Sequence, residues 1–135
     1  MKKAKLMVDV VEVLAPHILP ESHTIFMEIQ KDITGCSTEF ITPTASQINI
    51  GADILLEDYN DWDIVKFMAH ELIHIKQLCE GVNFDDFPDA CFDPANLEYW
   101  FDPDEVEARA YEDAFGSLYL KLKNYSMFRM NFYEV

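Results

Sequence analysis

The sequence predicts an α+β fold, on three observations. Residues near the start repeat apolar positions at three and four, two of three short runs between residues 23 and 52 alternate with a period of two, and two long stretches beyond residue 60 return to helical spacing. The expected order is an N-terminal helix, a small sheet of about three strands, a buried helix and a second long C-terminal helix. With 135 residues the chain is expected to form one domain, 1–135, because a second core would need roughly 100 residues more.

The first helix is predicted from Leu6, Met7, Val10, Val13 and Leu14, and Pro16 is expected to stop it. Between His23 and Lys31, Ile25, Met27 and Ile29 face one way and Thr24, Phe26, Glu28 and Gln30 the other, which is a half-buried strand. Thr34 to Ser37 reads as a turn, and Thr38 to Thr42 as a second strand halted by Pro43. Gln47 to Ala52 alternates Ile48 and Ile50 with polar residues and is expected as a third strand, at a sheet edge.

Asn60 is a strong N-cap, with Asp61 and Asp63 in the first turn and Tyr59 and Ile64 at the positions of a hydrophobic staple. The helix should continue to about Glu80, with Gly81 as the left-handed residue after it. Its apolar residues occur on nearly every side, so it should be buried. Residues 83–101 hold five acids and two prolines without a period and are expected to be an irregular, partly packed segment. The last helix should start near Asp102, with Pro103 at its first position, and continue through Val106, Ala110, Ala114, Leu118 and Leu122.

Composition narrows the function. Half of the residues are apolar and Gly and Pro are few, so disorder is excluded. Twenty-five acidic against ten basic residues give a net charge of −15, which disfavours nucleic acid and anionic membrane surfaces and favours cationic partners. Cys36, Cys79 and Cys91 are odd in number and lack CxxC spacing, so neither a disulfide framework nor a thiolate zinc site is expected. With no leader pattern and no apolar run long enough for a span, the chain is expected in the cytoplasm.

The chemistry concentrates in His70, Glu71, Leu72, Ile73 and His74, an HExxH pattern on the buried helix. Histidines four apart lie about 40° apart around the axis, so both imidazoles can reach one metal ion. Glu71 sits about 100° away from His70, where its carboxylate could take a proton from metal-activated water. A catalytic zinc takes a third protein ligand, and the start of the last helix supplies acids, among them Glu105 and Glu107.

HExxH, then Gln77, then the PxExEA pattern of Pro103 to Ala108 resembles the small gluzincin metallopeptidases of phages, prophages and bacteria. The resemblance covers the two helices and, loosely, the strand order before them. It implies a minimal zincin-like fold and a zinc ion held by His70, His74 and Glu105, the glutamate of an ExxA pattern ending at Ala108. Where related sequences carry Asp or Asn after that alanine, this chain has Arg109, which could pair with Glu105 or Glu112 one turn away. Glu105 also fits a capping box with Asp102, and if capping held its carboxylate, Glu107 would be the ligand instead.

The expected activity is hydrolysis of a peptide or protein substrate with Glu71 as general base. The resemblance further implies an extended substrate paired along the strand of Ile48, Asn49 and Ile50. Tyr99 and Tyr111 are candidates to stabilise the oxyanion, while His17 and His23 lack partners at ligand spacing. The acidic run from Glu80 to Glu107 suits a cationic substrate or a hard cation such as calcium, and equally a solvated face, since no EF-hand spacing is present. The alternative is an acidic, zinc-stabilised protein-binding module without turnover; a nucleic-acid mimic acting by charge alone is the weakest reading.

Overall fold

The computed structural model describes residues 2–20, 22–56, 58–81 and 102–123. Among these residues, four helices and a three-stranded sheet follow in the order α1 (Lys2–Ile18), β1 (Thr24–Gln30), β2 (Cys36–Thr42), β3 (Ala45–Gly51), α2 (Ala52–Leu56), α3 (Asp61–Cys79) and α4 (Pro103–Leu122). This is the α+β class, with one short helix, α2, that periodicity does not reveal. Residues 83–101, with Cys91 and Tyr99, lie outside the described residues.

Pro16 does not end α1, which continues to Ile18. The N–H that proline lacks would have bonded to the carbonyl of Glu12, an exposed residue whose oxygen water can satisfy, and the extra turn buries Ile18 and Leu19. β2 begins at Cys36 rather than Thr38, because the turn is tighter than expected. Gly35 carries it at φ 74°, and its N–H donates to the Asp53 carboxylate at 3.0 Å.

The strand order is β1-β3-β2, with β3 parallel to β1 and antiparallel to β2. β3 is therefore central, contrary to the expectation that it forms an edge. Its alternation has another cause: Ser46, Ile48 and Ile50 face the helices, while Gln47 and Asn49 lie on the opposite face among polar side chains. There Gln30 and Gln47 donate to Asn49 Oδ1 at 2.6 and 2.7 Å, so a polar residue is satisfied on a strand paired on both sides.

α3 lies at the centre of the core. Asn60 and Asp63 form a reciprocal capping box, with Asp63 N–H donating to Asn60 Oδ1 at 2.8 Å and Asn60 N–H donating to Asp63 Oδ2 at 3.2 Å. Gly81, at φ 94°, follows the C-cap Glu80. Ile64, Val65, Met68, Ala69, Leu72, Ile73 and Ile75 are all buried, against Met7, Val10 and Leu14 of α1 and Ile48 and Ile50 of β3 in one cluster. Burying each of the larger of these side chains contributes about 1.5–3 kcal/mol before chain entropy is counted.

α4 starts where expected, with Asp102 accepting from the N–H of Asp104 and of Glu105 and Pro103 in the first turn. Its buried face is not the stripe that the spacing suggests. Val106, Ala110, Ala114 and Leu122 are exposed, whereas Ala108, Gly116, Tyr119 and Leu120 are buried. Small residues decide this: a Cβ at Gly116 would stand 3.0 Å from Trp62 Cη2, so glycine makes room for the Trp62 ring of α3. Tyr119 anchors the helix to α1 by donating its hydroxyl to Asp9 Oδ2 at 2.5 Å.

Candidate metal centre

α3 and α4 run antiparallel, because Trp62 meets Gly116, His70 meets Glu112, His74 meets Glu105 and Gln77 meets Asp104. The helical repeat brings the imidazoles of His70 and His74 to the same side of α3, their Nε2 atoms 3.1 Å apart. Glu105, in the first turn of α4, spans both: Oε1 is 2.7 Å from His74 Nε2 and Oε2 is 3.2 Å from His70 Nε2. One ligand atom from each of the three residues falls within 4.8 Å of the others. Nitrogens on a tetrahedral zinc lie roughly 3.3 Å apart, so the spacing of the two imidazoles suits one ion.

The two claims on Glu105 are thus divided in space. Asp102 caps the helix with its own side chain, and the carboxylate of Glu105 is directed to the histidines. Glu107 points elsewhere, accepting from Gln77 Nε2 at 3.0 Å. Gln77 in turn faces His74, with Oε1 2.8 Å from Nδ1. His70 is supported by a carboxylate instead, Glu112 Oε1 lying 3.7 Å from its Nδ1.

These surroundings favour positive charge. Burial alone would lower the pKa of His70, but Glu105, Glu112 and the charge of Glu71 outweigh it and raise the pKa to about 10. Burial likewise opposes charge on His74, and Glu105 with the charge of Glu71 outweighs it and raises the pKa. For Glu105, burial opposes ionisation, yet hydrogen bonds to the two imidazoles hold its carboxyl well below the usual carboxylate range. A divalent ion can supply the charge that these groups otherwise take from protons, and two imidazoles with one carboxylate are a donor set suited to zinc.

Glu71 is buried on the side of α3 that faces the sheet, at 3% exposure. Its Oε2 accepts from Thr38 Oγ1 on β2 at 2.6 Å. Thr38, Gln77 and Glu112 contribute to the site without having been assigned a role from sequence. Glu112 carries a signal, two helical turns after Glu105 and so on its face, whereas Thr38 depends on strand placement.

The other candidates are not brought into this group. His17 is exposed. His23 lies 2.9 Å from Ser46 Oγ through Nε2 and 3.7 Å from Cys79 Sγ through Nδ1. Cys36 and Cys79 are free thiols, with burial pushing the pKa of each upward. Tyr111 is 51% exposed, its ring centroid 6.3 Å from that of Phe115. Among the described residues no helix is long and apolar enough to cross a membrane.

Comparison with models of protein families, with curated proteins and with solved structures finds no match.

Proposed function

We propose that this chain is a zinc-dependent metallopeptidase. The observation that carries this reading is the convergence of His70, His74 and Glu105 beside Glu71, a carboxylate on the same helix that is not part of the metal-binding group. His70 Nε2, His74 Nε2 and the Glu105 carboxylate would hold the ion. When bound, zinc acts as a Lewis acid that acidifies a water and polarises a carbonyl.

The chain's own groups do the rest. Glu71 is the general base: Oε2 is anchored by Thr38, and the carboxylate takes a proton from water as it attacks the peptide carbonyl, then returns it to the leaving amine. Thr38 belongs to β2, which among the described residues pairs only with β3 and so has an open edge beside the base. This edge, and not β3, which is paired on both sides, is the one suited to an extended substrate, with Phe40 and Ile41 exposed along it. The net charge of −15 favours cationic substrates.

The test is Glu71→Gln in the full chain. Zinc and fold should be retained, while cleavage of a denatured protein mixture should be lost. Equal cleavage by variant and parent would remove Glu71 from the mechanism. A parent that binds zinc and cleaves nothing would favour the acidic, zinc-stabilised binding module.

A further inference from the structure

Either ring nitrogen of His74 could face an ion, and the hydrogen bonds around Gln77 decide between them. Gln77 is 2% exposed, so its amide has to find partners within the protein. Its Nε2 lies 2.9 Å from the carbonyl oxygen of Asp104 and 3.0 Å from Glu107 Oε1. The carbonyl, and the carboxylate when ionised, can only accept, so both N–H groups of the amide are committed to α4. Flipping the amide would set its oxygen against two acceptors and its nitrogen against the ring.

Oε1 of Gln77 therefore faces His74 Nδ1, at 2.8 Å. An amide oxygen cannot donate, so Nδ1 must carry a proton. In the neutral ring the lone pair then lies at Nε2, the atom 2.7 Å from Glu105 Oε1 and 3.1 Å from His70 Nε2. We infer that Gln77 is a positioning residue that presents Nε2 of His74 to the metal, and that Glu107 and the Asp104 carbonyl set the polarity of its amide. This inference rests on the metal reading above. It gives Glu107 a part in the site without making it a ligand, and it makes the first turn of α4 act twice, through Glu105 directly and through Gln77 indirectly.

The experiment uses the full chain and zinc alone. Affinity is measured by chelator competition, and the nitrogen bound to zinc is identified by two-bond 1H–15N NMR of the zinc-loaded protein. The parent should show His74 bound through Nε2 with a proton on Nδ1. Gln77→Leu should weaken zinc about 10- to 100-fold, the usual range for losing a group that orients a ligand. Gln77→Glu alone should also weaken it, because a second carboxylate would then face Glu107 and the Asp104 carbonyl. Combining Gln77→Glu with Glu107→Gln should restore most of the affinity by reversing the direction of that hydrogen bond, a rescue that simple loss of packing would not produce.

A folded Gln77→Leu variant with parental affinity would overturn the inference and leave the metal reading standing. A parent in which His74 binds through Nδ1 would do the same, even if no Gln77 variant folds. A parent that binds no zinc would overturn both.

Discussion

Thr38 Oγ1, on the edge strand, and Glu71 Oε2, on the central helix, are 2.6 Å apart, which links the open side of the sheet to the proposed base. The hydroxyl is a donor to a carboxylate only 3% exposed. Thr38→Val keeps the shape and removes that donor, which should cost about 1–3 kcal/mol of stability. Cleavage should fall by about tenfold through lost orientation of the base, with zinc affinity unchanged. Denaturant unfolding and a cleavage assay check the two effects, and parental values in both would show that the contact is unimportant.

The two glutamates of α4 should separate cleanly. Glu105→Gln should lose zinc, because a neutral amide replaces the carboxylate between the two histidines. Glu107→Gln should keep it within several-fold, since an amide oxygen can still accept from Gln77. Elemental analysis of the purified variants decides, and zinc retained by the first but lost by the second would reassign the ligand.

A third prediction concerns the contact between α1 and α4. Tyr119 is 1% exposed and donates to Asp9 Oδ2, so Tyr119→Phe should cost about 1–2 kcal/mol in a denaturant or thermal melt. Burial, then the hydrogen bond and charge of Asp9, raise the pKa of its phenol. A raised native pKa gives stability that is complete below the ordinary tyrosine value of about 10 and is lost as pH rises through the native value. The parent should therefore lose stability above about pH 10 more steeply than Tyr119→Phe. Parallel curves would contradict this account.

The parts of this fold that local chemistry determines were legible in the sequence. Both ends of α3 follow from Asn60, Asp63 and Gly81, and the start of α4 from Asp102 and Pro103, because caps act within a few residues. The clustering of His70 and His74 follows from helical pitch alone. What depends on distant partners was hidden. Ile48 and Asn49 alternate in the same way on a central or an edge strand, so strand order could not be read from them. The buried side of α4 is marked by Ala108 and Gly116, whose value lies in what they allow to come near rather than in their own hydrophobicity. Thr38, Gln77 and Glu112 acquire their roles only when elements meet.

With the Trp62 ring seated against Gly116, the two long helices resemble a pair of tongs. Its pivot is set by a missing methyl group, while the jaws, His70 on one arm and Glu105 on the other, lie about 12 and 16 Å further along at 1.5 Å per residue. A bulkier side chain at 116 would spread the arms at the pivot and alter the grip at the tip, so Gly116→Leu should loosen zinc without touching a ligand. In the proposed site, the strength with which zinc is held thus becomes a gauge of how well an indole seats against a glycine about two to three turns away.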